Sequence, residues 1–206
     1  MTNPIDLIRR AGVLAIVRAE NERVARAQGE SLLACGVTVL EVSLVTPGAL
    51  SVIAELAERP GLTVGVGTVM TTSEVDAAAA VGARFVVSPT LDGEVIRATL
   101  DLGMASIPGA GTVTEFAYAT ALGAHLVKVF PATVFGPVGI HAALASLPHL
   151  RLLPTGGVTL AQVDDYLAAG AVAVGMGSEL VRSAKHEPDK LASHLARWRS
   201  REGTSG

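Results

Sequence analysis

The chain of 206 residues has a single cysteine, and aromatic residues make up only 3% of it. A lone thiol excludes an internal disulfide. Cys35, set in the apolar stretch Leu32-Leu33-Ala34-Cys35-Gly36, reads as a core thiol rather than a reactive one. Few rings are available to stack on bases, the net charge is -3 and no basic cluster occurs, so nothing marks a nucleic-acid partner. No apolar run reaches the ~18 residues of a membrane span. The start, Met1-Thr2-Asn3-Pro4-Ile5-Asp6, has no charged segment leading into an apolar one. These absences lead us to expect a soluble, cytoplasmic protein, without nucleic-acid or membrane partners, that acts on a small molecule.

What is present is apolar and small: half of the residues are hydrophobic and 22 are glycine. No Ser-rich or charged stretch divides the chain, so one domain is expected over residues 1–206, with its body over about 12–182 and a C-terminal helix and tail over about 187–206. One phrase recurs, an Ala-rich helical segment, then glycine, then a short β-prone run. It occurs at Cys35-Gly36-Val37, Val81-Gly82-Ala83, Leu102-Gly103-Met104, Leu122-Gly123-Ala124 and Ala169-Gly170-Ala171. Each glycine stands where a helix must stop and turn into a strand, which requires a left-handed backbone angle. Their separations are one or two multiples of roughly 20 to 24 residues, leaving room for about eight such units.

Strand-like runs fall near Val13 to Val17, Val37 to Leu44, Leu62 to Gly67, Arg84 to Val87, Met104 to Ile107, His125 to Val129, Arg151 to Leu153 and Ala171 to Val174. Eight short strands alternating with helices predict an α/β fold, a closed parallel (β/α)8 TIM barrel. Thr112-Val113-Thr114-Glu115 and Thr159-Leu160-Ala161-Gln162 have capping-box spacing at helix starts this fold requires. The rival is an open doubly wound sheet, which usually carries a Gly-rich fingerprint after its first strand. Here Ile16-Val17 is followed by Arg18-Ala19-Glu20-Asn21.

In a barrel of this kind reacting groups lie at the carboxyl ends of the strands. Of three lysines, Lys185 and Lys190 sit in the polar C-terminal segment, while Lys128 interrupts Leu126-Val127-Lys128-Val129-Phe130. Burial disfavours an ammonium and so favours the neutral amine that attacks a ketone. A structural lysine paired with a carboxylate would occupy the same place. In Val37-Thr38-Val39-Leu40-Glu41-Val42-Ser43-Leu44, alternation puts Glu41 on the less apolar face, pointing into the barrel and making it the counterpart of Lys128. Thr155-Gly156-Gly157 and Gly175-Met176-Gly177-Ser178 end the last two strands, where backbone amides can converge on an anion. The histidines His125, His141, His149, His186 and His194 show no metal-ligand spacing, and neither a metal nor another cofactor is expected.

The stretches Val39-Leu40-Glu41-Val42, Val66-Gly67-Thr68-Val69, Val87-Ser88-Pro89, Ile107-Pro108-Gly109, Val127-Lys128-Val129-Phe130-Pro131-Ala132, Pro154-Thr155-Gly156-Gly157-Val158 and Gly177-Ser178 resemble, in this order, the 2-dehydro-3-deoxy-6-phosphogluconate (KDPG) and 4-hydroxy-2-oxoglutarate (KHG) aldolase family. The likeness runs from about Ile5 to Arg182. It implies a cofactor-free, homotrimeric class I aldolase that releases pyruvate from a phosphorylated 2-keto-3-deoxy sugar acid. Lys128 would then be the Schiff-base lysine and Glu41 the proton shuttle. Thr68, Pro89 and Phe130 would line the keto-acid pocket, Thr155 would meet the substrate hydroxyls, and Gly156, Gly157, Gly177 and Ser178 would hold the phosphate.

The chain departs from that pattern at Val45, which follows Glu41-Val42-Ser43-Leu44 where the gluconate-type pattern has a carboxylate-binding arginine. Arg18 can supply the charge from the same rim, an arrangement that resembles the galactonate branch, as do Phe135-Gly136-Pro137 and Gly175-Met176-Gly177-Ser178-Glu179-Leu180. Thr155 resembles the gluconate type, leaving the C4 stereochemistry open. Other functions weighed were an isomerase or decarboxylase on the same barrel and a non-catalytic phosphosugar binder with Lys128 and Glu41 as a structural pair.

Overall fold

A computed structural model describes residues 3–199; the rest of the expected tail lies outside the described residues. The chain opens with α1 (Pro4–Ala11), capped by Asn3, whose side chain accepts from the Ile5 amide at 2.9 Å. There follow β1 (Val13–Val17), α2 (Glu22–Ala34), β2 (Val39–Ser43), α3 (Ala49–Ala57), β3 (Thr63–Gly67), α4 (Thr72–Ala80), β4 (Phe85–Val87), α5 (Gly93–Asp101), β5 (Ala105–Ile107) and β6 (Gly109–Ala110). The second half comprises α6 (Val113–Ala121), β7 (Val127–Val129), α7 (Ala132–Ser146), β8 (Leu152–Pro154), a single 3-10 turn (Leu160–Gln162), α8 (Val163–Ala168), β9 (Val174–Met176), α9 (Ser178–His186) and α10 (Pro188–Arg199).

Every strand pairing is parallel, in a six-stranded sheet ordered β5-β4-β3-β2-β1-β9 and a three-stranded sheet ordered β6-β7-β8. The protein is therefore α/β with a curled parallel sheet. β5 fills the expected strand Met104 to Ile107 apart from its first residue, and β6 is an additional short strand beyond it, separated from β5 by Pro108, which has no amide hydrogen to give to a ladder. β5 pairs with β4 and β6 with β7, while a bridge between Thr155 and Gly175 joins the other margins of the two sheets. The five helix-to-strand glycines turn as their sequence positions predict, with φ of 93° at Gly36, 82° at Gly82, 70° at Gly103, 92° at Gly123 and 99° at Gly170.

The last strand differs most from expectation, running over Val174–Met176 instead of Ala171 to Val174 and pairing with Val13, Leu14 and Ala15. Ala171 is still leaving α8, its amide donating to the Tyr166 carbonyl at 3.1 Å. Gly175 sits inside the strand because a Cβ there would lie 2.3 Å from Thr155 Oγ1. β2 is also shorter than expected, and β8 lies one residue later than the expected run Arg151 to Leu153. Of the two expected capping boxes, the Gln162 side chain does accept from the Thr159 amide, at 3.1 Å. Glu115 instead reaches past Thr112 to the Gly111 amide, at 2.9 Å. The capping box at Thr71 and Glu74 was not anticipated.

Strand alternation sorts the core into two clusters. Leu40, Val42, Val64, Val66, Val127 and Val129 pack outward against the helices. Leu14, Val39, Phe85, Ile107, Leu126 and Leu153 point inward and meet Ile5, Ile8 and Ala11 of α1. With α1 filling the interior at the amino ends of the strands, the inward polar side chains gather toward the carboxyl ends.

Candidate active site

β7 is a three-residue strand whose outer positions, Val127 and Val129, pack against the helices, so Lys128 between them must point inward. It is 7% exposed, and its Nζ stands 5.2 Å from the centroid of the Phe130 ring. On β2 the same alternation turns Leu40 and Val42 outward and Glu41 inward, where it is 2% exposed. Burial pushes the Glu41 carboxyl above the ordinary glutamate range, against the opposing pull of the Lys128 and Arg18 charges. Lys128 and Glu41 make no direct ion pair among the described residues, and Glu41 Oε2 is buried with no hydrogen-bond partner. The pair influence each other across a space, which separates this arrangement from a closed structural salt bridge.

That space depends on glycines that reading the sequence did not single out. A Cβ on Gly67 of β3 would lie 2.6 Å from Glu41 Oε1 and 2.9 Å from its Cδ, so only glycine leaves the carboxyl its place. Two residues earlier, Gly65 faces the same interior, where a Cβ would come 2.3 Å from the Phe85 ring. The signal was available as two glycines at strand spacing in Thr63-Val64-Gly65-Val66-Gly67. Immediately after them Thr68 adopts φ 66°, a left-handed angle costly for a β-branched residue, and its hydroxyl lies 2.6 Å from that of Ser43.

A cavity of about 710 Å³ opens at this end of the sheet and brings together Arg18, Glu41, Lys128, Phe130, Thr155, Gly156, Gly157, Gly177 and Ser178. Thr68 and Pro89, expected in the same pocket, do not line it. The former is turned to Ser43, and the latter's carbonyl oxygen lies 2.3 Å from where a Gly109 Cβ would stand. Thr155 is buried, its hydroxyl donating to the Leu153 carbonyl at 3.2 Å, and Gly156 and Gly157 follow at φ 89° and 81°. Residues that the sequence did not suggest also line the cavity, among them Gln28, Arg182 and Lys185.

Val45 at the departure point is 55% exposed, whereas the next residue, Thr46, is 1% exposed. Thr46 Oγ1 accepts from the Ala19 amide at 3.1 Å, which ties the loop after β2 to the residue following Arg18. A side chain of the loop where the arginine is missing thus ties down the segment just after β1 that carries Arg18. Among the described residues, no group of three or more His, Cys, Asp or Glu is placed to hold a metal ion.

A buried amine facing a carboxyl that lacks a partner, at the carboxyl rim of parallel strands, defines a site of the carbonyl-attacking, imine-forming class. Residues 5–193 match the family model described as KDPG and KHG aldolase. A probable 2-dehydro-3-deoxy-6-phosphogalactonate aldolase of Rhizobium meliloti is 38% identical over 82% of this chain and 82% of its own length. A 2-dehydro-3-deoxy-phosphogluconate aldolase of Pseudomonas aeruginosa is 37% identical over 79% of this chain and 74% of its own. The KDPG aldolase of Legionella pneumophila, solved with pyruvate captured at low pH as a covalent carbinolamine, superimposes with a TM-score of 0.80 at 28% identity, covering 95% of this chain and 98% of that one. The chain belongs to the KDPG and KHG aldolase family and is an aldehyde-lyase of that type.

Proposed function

We propose that the protein cleaves 2-keto-3-deoxy-6-phosphogluconate or its C4 epimer to pyruvate and glyceraldehyde 3-phosphate, with 4-hydroxy-2-oxoglutarate as a second substrate. The carrying observation is the pair of Lys128 and Glu41, buried in one cavity without closing on each other. In this reading the two sheets form one single-domain (β/α)8 barrel, supported by the direct passage of the chain from β5 through Pro108 into β6 and by the bridge from Thr155 to Gly175. The protein works as a cytoplasmic homotrimer without a cofactor.

The Lys128 amine, in its neutral form, attacks the C2 carbonyl, forming the C–N bond of a carbinolamine. Glu41, which burial pushes toward its protonated form, gives a proton to the departing hydroxyl, and water leaves as the iminium forms. The Glu41 carboxylate then takes the C4 hydroxyl proton. The C3–C4 bond breaks, its electrons pass into the enamine and the aldehyde leaves. Protonation at C3 and addition of water release pyruvate and restore the amine. Arg18 holds the substrate carboxylate, Phe130 shapes the keto-acid end, Thr155 meets the hydroxyls, and Gly156, Gly157, Gly177 and Ser178 receive the phosphate. The trapped carbinolamine of the Legionella relative supports the covalent route. Pyruvate plus borohydride should add irreversible mass at Lys128, and Lys128→Ala should lose both the label and cleavage; substantial cleavage by that variant would defeat the proposal.

A further inference from the structure

Polar groups remain on the cavity wall after the reacting pair and the glycine loops are accounted for. From Ser178 at the start of α9, the lining continues through Glu179, Val181, Arg182, Lys185 and His186, all but Glu179 at three, four, seven or eight residues from Ser178. That spacing follows one helical face, a stripe running ~12 Å away from the glycine rim. Arg182 and Lys185 have no hydrogen-bond or ion-pair partner among the described residues. The nearby carboxylate of Glu179 is already engaged, accepting from the Leu160 amide at 3.1 Å. On α2, Gln28 lines the same cavity, and its side-chain amide oxygen is buried without a hydrogen-bond partner. The wall therefore carries two cations without a hydrogen-bonded or ion-paired partner, beside the Glu179 carboxylate, and a ligand anion would pair with those cations.

We propose that Arg182 and Lys185 form a side-chain clasp that makes the enzyme prefer aldehydes carrying a phosphate. The proposal rests on the aldolase reading above. Backbone amides at the glycine loops offer hydrogen bonds but no full charge, whereas a phosphate monoester approaches a dianion at neutral pH. A guanidinium fork matches two phosphate oxygens and the Lys185 ammonium adds a second charge. As Lys185 folds over the ligand, the Gln28 oxygen accepts one of its hydrogens. Both cations are exposed, so the clasp acts on binding and on its salt dependence rather than on the chemical step.

The test compares condensation of pyruvate with glyceraldehyde 3-phosphate and with unphosphorylated glyceraldehyde in wild type and in the double variant Arg182→Ala, Lys185→Ala. For the phosphorylated aldehyde, kcat/KM should fall ~10- to 100-fold, mainly through KM, and most of its salt dependence should go. The unphosphorylated aldehyde should change by less than about threefold, and borohydride trapping of pyruvate should proceed at the wild-type rate. Arg182→Lys with Lys185→Arg should recover much of the preference. Equal losses for both aldehydes, or none for the phosphorylated one, would overturn the clasp while leaving the aldolase reading intact. Failure of the wild type to trap pyruvate would instead remove the aldolase reading on which the clasp depends.

Discussion

Replacing Gly67 with alanine isolates the placement of one carboxyl group. The added methyl would stand 2.6 Å from Glu41 Oε1, against the ~3.5 Å of an ordinary nonbonded contact, so the oxygen must retreat by roughly 0.9 Å. Gly67 does not sit at a positive φ, so the backbone itself accepts alanine. What moves is the far end of a flexible side chain, and the stability cost should be about 1 kcal/mol, that of an off-rotamer side chain. Catalysis is far less tolerant. A misplacement of ~1 Å can cost ~100-fold, or about 2.7 kcal/mol of barrier height. Gly67→Ala should therefore melt within several degrees of wild type while losing roughly two orders of magnitude in kcat for retro-aldol cleavage. Combined with Glu41→Gln, which removes the proton-transfer function at nearly constant volume, it should add little further loss. Wild-type activity in folded Gly67→Ala, or full additivity with Glu41→Gln, would refute the argument that Gly67 serves the carboxyl.

Gly65→Ala meets the Phe85 ring, not a flexible end, and should cost about 1–3 kcal/mol of stability in a denaturant melt with less effect on kcat per folded molecule. Because burial raises the Glu41 pKa, its charged form costs the folded state stability, a cost absent below the ordinary value of 4.5 and growing as pH rises toward the folded-state pKa. Glu41→Gln should accordingly melt close to wild type near pH ~4 and above it near pH ~8, and the opposite trend would contradict burial as the main cause of the shift. Thr46→Val removes the acceptor for the Ala19 amide and should raise KM for pyruvate about 5- to 10-fold through misplacement of Arg18. Thr46→Ser should restore it, whereas a KM unmoved by either variant would deny the tether its role.

Val45 is exposed and Thr46 buried where the expected arginine would follow β2, and Arg18 stands on the same rim just after β1. Arg18 lies close enough to act on the ionisation of Glu41, and the loop after β2 now contributes a hydroxyl that fixes the loop after β1. Ser43 and Thr68 form a similar hydroxyl pair between the ends of β2 and β3, beside the glycine that admits Glu41. The rim is thus stitched by short polar contacts between neighbouring strand ends.

By itself, the sequence determined the alternation of helices and strands, the five glycines that turn a helix into the next strand, and the inward direction of Lys128 and Glu41. Those properties follow from local rules, the φ that only glycine adopts cheaply and the period of two in an extended chain. Tertiary structure alone decided that Gly67 yields its side-chain volume to Glu41, that Gly175 lies within a strand beside Thr155, and that Gln28 and Arg182 share a cavity with Lys128. It also decided that Thr68 and Pro89 stand apart from that cavity. Each of these depends on a distance between residues remote in the chain, set by how the strands curl and the helices pack, which no local pattern encodes.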